Sequence, residues 1–246
     1  RRVYDERVIT SYDALLSQEV YRDTLRPDCI LQIGQMVVSK RVQQWVASMQ
    51  HIPIISVSPT MDYTNPAGNT ILFVQSTPQG LVDALNMEIS ELHVMANEVH
   101  AEVADEELNT VDNGYLATWI DADGVGRKQL DTVAREPELF EGYTIHLLQE
   151  LLPKNSQLVV ANSMSIRDMD YFWSGNRHSA IIYGNRGVNG IDGTVSTALG
   201  IATNGMPTVL LTGDLTFFHD LNGLAVSKTH PLNVTIIVHN NDGGGI

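Results

Sequence analysis

Two short stretches of this sequence carry side chains able to act together on a charged ligand. Gly213-Asp214-Leu215-Thr216 and Asn240-Asn241-Asp242-Gly243 each follow directly on an apolar run. If those runs are parallel strands, both stretches fall at the C-terminal edge of an α/β sheet, where such sheets bind ligands. Asp214 offers a carboxylate, Asn241 an amide oxygen and Gly243 a backbone carbonyl. Hard oxygen donors of this kind suit Mg²⁺ or Ca²⁺ rather than zinc. Three protein ligands fit Mg²⁺ completed by phosphate oxygens and water. Gly243-Gly244-Gly245 lets backbone N–H groups approach an anion closely and takes up positive φ without strain. Thr216 falls near the start of an expected helix, where free N–H groups favour a phosphate.

The elements that must position these residues are legible as apolar runs and helical periodicity. Two α/β segments flank an acidic, helical middle. In the first, Cys29–Gly34, Ile52–Val57 and Ile71–Val74 are expected as buried strands, with helices over Tyr12–Thr24 and Ser39–Met49. From Pro78 to Glu107 the pattern is helical and ends in the acidic run Asp105-Glu106-Glu107, read as a solvated surface. Another helix is expected over Tyr115–Val133. Pro137 is placed to open the next, with Phe140, Ile145, Leu147, Leu148 and Leu151 as apolar positions and Pro153 as its stop. In the second segment, Leu158–Ala161, Ala180–Tyr183, Thr208–Thr212 and Val234–His239 are expected as buried strands. Helices are expected over Ser165–Trp173, Gly193–Thr203 and Asp220–Lys228. Strand and helix in alternation imply parallel sheets with flanking crossover helices, an α/β fold.

The bulk properties exclude several classes. Of 246 residues, 43% are hydrophobic and 18% charged, a globular rather than a disordered balance. No apolar run approaches the roughly 20 residues of a membrane-spanning helix. The N-terminal residues lack the apolar core of an export signal. A single cysteine, Cys29, excludes an intramolecular disulfide and is expected as a small buried hydrophobe. These features favour the cytoplasm. The formal net charge of −14, with no run of Lys or Arg, argues against a nucleic-acid partner. It also makes individual cations informative, because an acidic protein binds an anion only through a few placed ones. The chain ends on a strand followed by a Gly-rich turn, and the expectation is that it is truncated at both ends.

A Gly-Asp pair or an Asn-Asn pair alone is common in turns. Their joint occurrence, one helix and one strand apart, resembles the diphosphate motif of thiamine diphosphate enzymes, which runs from Gly-Asp-Gly to Asn-Asn. Leu215 departs from the third motif glycine. Flanking residues narrow the resemblance. The stretch from Asn185-Arg186-Gly187 through Gly190-Ile191-Asp192-Gly193 is similar to a signature of the 2-succinyl-5-enolpyruvyl-6-hydroxy-3-cyclohexene-1-carboxylate synthase family, as is Gly213-Asp214-Leu215-Thr216-Phe217-Phe218-His219-Asp220-Leu221-Asn222-Gly223-Leu224. In that family leucine at the third motif position is usual. Asn162-Ser163-Met164-Ser165-Ile166-Arg167-Asp168 and Val38-Ser39-Lys40-Arg41 with Trp45 resemble further family blocks. The likeness covers most of the chain, with gaps around the acidic middle.

The resemblance implies part of a central α/β domain over residues 1–100, a helical linker over 101–134 and a truncated diphosphate-binding domain over 135–246. It implies thiamine diphosphate with Mg²⁺ (or Mn²⁺) as cofactors, 2-oxoglutarate and isochorismate as substrates, and at least a dimer in the full-length protein. The implied reaction decarboxylates 2-oxoglutarate and adds the resulting carbanion equivalent to isochorismate, in menaquinone biosynthesis. By motif position Asp214, Asn241 and Gly243 would hold the metal. Ile191, Gly213, Leu215, Thr216, Asn240, Gly244 and Gly245 would meet the cofactor, with Ile191 wedged beneath it. Lys40, Arg167 and Arg186 would meet substrate carboxylates, with Ser163 as a hydrogen-bond donor. The glutamate that activates the cofactor in this family belongs to a domain with no counterpart here, so no catalytic residue is assigned and the 246 residues alone are expected to be inactive.

Each assignment has a plainer alternative. Lys40 opens an expected helix and suits solvent. Arg167 is placed to pair with Asp168 or Asp170. Arg186 in a Gly-rich loop suits the surface, Ile191 suits a core, and Ser163 suits a helix cap. His219 and His239, close to the motif, are read as structural. Trp45, Trp119 and Trp173 are read as core or interface residues. For the function, the competing reading is another thiamine diphosphate enzyme, a 2-oxo-acid decarboxylase or an acetolactate synthase relative.

Overall fold

The structure is a computed structural model that describes residues 5–60, 68–99, 113–135, 140–175 and 180–244, with the side chains of 89–99 and 113 excepted. It divides into two compact units. One is Leu15–Ala122; the other joins Arg1–Ala14 to Asp123–Ile246.

The first unit holds α2 (Glu19–Thr24), β1 (Ile30–Ile33), α3 (Lys40–Ser48), β2 (Ile54–Ser58), β3 (Thr70–Gln75) and α4 (Pro78–Val99); α1 (Tyr12–Leu15), ahead of them in the chain, has only its last residue in this unit. The expected helix over Tyr12–Thr24 is therefore two short ones. The three strands form a parallel sheet in the order β1-β2-β3. Ser39 caps α3, its hydroxyl accepting from Val42 N at 3.1 Å. Leu25, Val46, Met49, Ile54 and Val57 form the buried centre. Trp45 lies edge-on to Trp119, with ring centroids 6.1 Å apart, and its indole N–H donates to the Arg22 carbonyl. Cys29 is exposed, not buried as expected. It leads into an outer strand whose Leu31 and Ile33 are also open to solvent. The acidic run 105–107 lies outside the described residues.

The second unit takes in the C-terminal part of α5 (Asn113–Ala134) and then α6 (Glu141–Leu151), β4 (Gln157–Val160), α7 (Met164–Phe172), β5 (Ile181–Gly184), α8 (Thr194–Ile201), β6 (Thr208–Gly213), α9 (Asp214–His219) and β7 (Val234–His239). The expected helices over 193–203 and 220–228 end or run as 3₁₀ turns, at Ala202–Asn204 and Leu221–Lys228. Pro137 lies outside the described residues, and α6 begins at Glu141.

All four strands are parallel, in the order β5-β4-β6-β7. Alternate residues of the two central strands point to opposite faces, as strand geometry requires. Leu158, Val160, Val209 and Leu211 pack with Ile145, Leu148 and Met169 of α6 and α7. Val159 and Leu210 pack with Val195, Ala198 and Leu199 of α8. The two central strands are thus covered on both faces and buried as expected, whereas Ile181 and Val238 on the outer strands β5 and β7 are partly open to solvent. The strand ends are the exits to the loops. Asp123 anchors the N-terminal segment: its Oδ1 accepts from Thr10 N at 2.9 Å and from Ser11 N and Oγ at 2.7 Å.

Candidate diphosphate and metal site

The site follows from strand register. Gly213, the last residue of β6, pairs with His239, the last residue of β7. Asp214 and Asn240-Asn241 therefore leave adjacent parallel strands at the same edge, as the motif reading requires. A cavity of about 260 Å³ opens there. It is lined by Ser163, Gly213, Asp214, Leu215, Thr216, Asn241 and Gly244, together with Glu141, Asn162, Met164, Ser165 and His239.

The donors are oriented by local bonds. Asp214 is the first residue of α9, and its Oδ1 accepts from Leu215 N at 2.8 Å. Asn241 donates from Nδ2 to Glu141 Oε1 at 3.1 Å. That bond turns the amide so that its oxygen is the atom left for a cation. Asn240 Oδ1 accepts from Asp242 N at 3.1 Å, which closes a tight turn. Asp242, Gly243 and Gly244 then run consecutively at positive φ, 59°, 72° and 61°. Glycine is the residue that takes this conformation at least cost. At Gly243 a β-carbon would also stand 3.1 Å from Leu215 Cδ2, closer than most neighbours tolerate. Gly243 and Asn240 flank the cavity without lining it. Gly245 lies outside the described residues. A carboxylate, an amide oxygen and main-chain carbonyls around a Gly-rich turn fit a small hard cation bound together with phosphate oxygens.

The edge is also electrostatically loaded. Asp168 on α7 has one carboxylate oxygen buried without a hydrogen-bond partner among the described residues. Burial, then the nearby Glu141 carboxylate, push its pKa up to about 6, and Arg167 acts weakly in the opposite direction. His239 is lowered by burial, against the pull of Glu141. Its Nε2 is likewise buried and has no hydrogen-bond partner among the described residues.

The other expected ligands are placed as follows. Ser163 sits between β4 and α7 at φ 70°, ψ −128°, and makes no side-chain capping bond, so the cap alternative is not realised. Arg186, on the loop after β5, donates from Nη1 to Asn162 Oδ1 at 2.9 Å and is half-buried rather than fully exposed. Arg167 is exposed on α7, with Nη1 4.0 Å from Met164 Sδ. Ile191 is half-buried on the loop before α8, its carbonyl accepting from Thr194 Oγ1, and does not line the cavity. Lys40 belongs to the other unit, where it is exposed as the first residue of α3. Sequence reasoning passed over Glu141 and the role of Asn162. Glu141 precedes Asn241 by 100 residues and carries no local signal. Asn162 stands beside Ser163 in the sequence, and its bonds run to residues 23 to 28 positions away.

Residues 163–246 match the model of the thiamine pyrophosphate enzyme C-terminal TPP binding domain. Over 240 residues and 97% of its length, the chain is 47% identical to the 2-succinyl-5-enolpyruvyl-6-hydroxy-3-cyclohexene-1-carboxylate synthase of Lactococcus lactis subsp. lactis. It is 40% identical to the protein of the same name from Desulfitobacterium hafniense over 97% of its length, and 34% identical to that of Listeria monocytogenes over 98%. In each case the chain spans about two fifths of the relative's own length.

Proposed function

We propose, because this chain belongs over the segment it spans to the family of 2-succinyl-5-enolpyruvyl-6-hydroxy-3-cyclohexene-1-carboxylate synthases, that the full-length protein is a transferase of menaquinone biosynthesis. It decarboxylates 2-oxoglutarate and joins the remaining four-carbon unit to isochorismate, with thiamine diphosphate and Mg²⁺ or Mn²⁺. The carrying observation is the convergence of Asp214 and Asn241 on one cavity from adjacent strand ends.

In this reading Asp214 and Asn241 supply oxygens to the cation, with the Gly243 carbonyl as third donor. Gly213, Leu215, Thr216, Asn240, Gly244 and Gly245 border the cofactor, and Ile191 supports it from below. Thiamine diphosphate, when bound, stabilises the carbanion equivalent that decarboxylation leaves. The protein's part is to hold two dianionic substrates. Arg186 and Arg167 present planar forks that match carboxylates, Lys40 offers a point charge, and Ser163 donates a hydrogen bond. The domain reading of central residues 1–100, linker 101–134 and diphosphate domain 135–246 belongs to this proposal, as do cytoplasmic location and a homo-oligomeric parent. Among the described residues no helix is long and apolar enough to cross a membrane.

The test uses full-length enzyme, assayed with each substrate, the cofactor and the metal omitted in turn. Product formation requires all four. Carbon dioxide release at the full rate without isochorismate would favour the competing reading, a plain 2-oxo-acid decarboxylase. Asp214→Ala is expected to cost at least a hundredfold in kcat/KM and to abolish Mg²⁺-dependent cofactor binding measured by calorimetry. The 246-residue chain alone should show no turnover.

A further inference from the structure

The end of β4 carries a buried amide that the proposed chemistry has not used. Asn162 is 2% exposed and lines the cavity shared by Asp214 and Asn241. Its Nδ2 donates both hydrogens, to the carbonyls of Asn185 at 2.8 Å and Gly190 at 2.6 Å. Its Oδ1 accepts from Arg186 Nη1 at 2.9 Å. The two carbonyls lie near the two ends of the loop that follows β5, and β5 pairs with β4 up to Val160 and Gly184. One side chain therefore fastens the loop to the neighbouring strand and holds the arginine that the loop carries.

The residue type matters. A guanidinium has five N–H donors. Among the described residues Asn162 is its one hydrogen-bond partner, which leaves most of the fork for an incoming anion. A carboxylate in the same place would hold Arg186 equally well but neutralise it, and an arginine already paired with a carboxylate attracts a second one poorly. A neutral amide fixes the position and preserves the charge. It is also able to donate to two carbonyls, which a carboxylate cannot do.

We propose that Asn162 is a positioning residue: through three hydrogen bonds it aims Arg186 at a substrate carboxylate while leaving the guanidinium charge unneutralised. This rests on reading Arg186 as a substrate ligand.

The opposite end of the same strand supplies a control. Gln157 is also fully buried, and its amide bonds to Thr208 Oγ1 at 2.9 Å and to Asn204, at the N-terminal edge, away from the cavity. In full-length enzyme, KM and kcat for each dianionic substrate and the dissociation constant of thiamine diphosphate are measured for five variants. Arg186→Ala is expected to raise KM for one substrate at least tenfold. Asn162→Ala should raise that same KM about tenfold, with cofactor affinity changed less than twofold. The double variant should be no worse than Arg186→Ala, because Asn162 acts through Arg186. Asn162→Asp, which keeps the acceptor and adds the charge, should raise the same KM, and it reads the proposal even if Asn162→Ala does not fold. Gln157→Ala should lower the melting temperature without selecting that KM. The proposal is overturned if Asn162→Ala or Asn162→Asp leaves unchanged a KM that Arg186→Ala raises, if the two single effects add in full, or if cofactor affinity falls as far as substrate affinity. If Arg186→Ala moves neither KM, the substrate role of Arg186 itself is wrong and this inference goes with it.

Discussion

The four-stranded sheet packs helices on both faces of its two central strands and leaves its outer strands only moderately open, Ile181 at 39% and Val238 at 36%, whereas the three-stranded sheet leaves large apolar side chains of its outer strands about half exposed or more. In the first, Leu158, Val159, Val160, Leu210 and Leu211 are all at most 1% exposed. In the second, Leu31, Ile33, Ile71 and Leu72 are about half exposed or more, and burial is concentrated on the middle strand, at Ile54 and Val57. Both sheets are parallel. What differs is the cover, and the strand-end chemistry described here sits on the well-covered sheet. A ligand site needs side chains held to within fractions of an ångström, and double-sided packing fixes strand ends in a way that a half-open sheet does not.

The largest effect expected from this contrast is in stability. Leu158→Ala or Leu211→Ala removes a side chain packed against helices and should cost about 2–5 kcal/mol in chemical denaturation. Ile71→Ala, at a position 70% exposed, should stay within about 0.5 kcal/mol. Equal losses at the two sheets would break the comparison, and a larger loss at Ile71 would reverse it.

The strands were legible because short apolar runs bounded by turn residues are a strong signal. Val234–His239 is as expected and the others differ at their ends by one or two residues. Alternating elements gave the α/β class, and the position of Asp214 and Asn241 after two such runs gave the sheet edge. The degree of cover was not legible. Ile71-Leu72 and Leu210-Leu211 are the same kind of apolar pair, and periodicity does not say what packs against it. The same holds for Cys29, which lies in an apolar run and is exposed, not buried. Glu141 and Asn162 escaped as site residues for a different reason. Their roles are set by hydrogen bonds across long sequence separations, to Asn241 and to residues 185–190, which no local pattern encodes.

A smaller effect sharpens the contrast within the covered unit. Stable packing around the cavity carries an electrostatic cost at Asp168, whose pKa is raised to about 6 from an ordinary 3.8. A raised carboxylate binds its proton more readily in the folded than in the unfolded state. Folding stability therefore falls as pH rises from about 4 to 6, and the penalty is complete above that window. The group is partly open to solvent, so screening reduces the penalty to about 1 kcal/mol. Asp168→Asn should be more stable than the parent by about that amount at pH 7–8, and the gap should close towards pH 4. Melting temperatures of both proteins at pH 7.5 and 4 measure it. A gap that persists at pH 4 would mean that burial of the charge is not its cause.

The smallest effect concerns Ser163, where the well-packed sheet delivers the chain into its site loop. At φ 70°, ψ −128°, this residue occupies a conformation that glycine adopts freely and side chains resist. Strain of this kind is worth about 1–3 kcal/mol. Ser163→Gly relieves it but adds about 0.5–1 kcal/mol of unfolded-chain entropy, so a net gain of about 0.5 kcal/mol is expected. Ser163→Ala keeps the strain and removes only the hydroxyl, so its stability should match the parent. If the hydroxyl serves a substrate, both variants of the full-length enzyme should lose affinity alike, although their stabilities differ. A stability gain for the glycine variant with full substrate affinity in both would leave the strain unexplained by function. A loss of stability on going to glycine would show that the surrounding packing, rather than the serine, sets this backbone conformation.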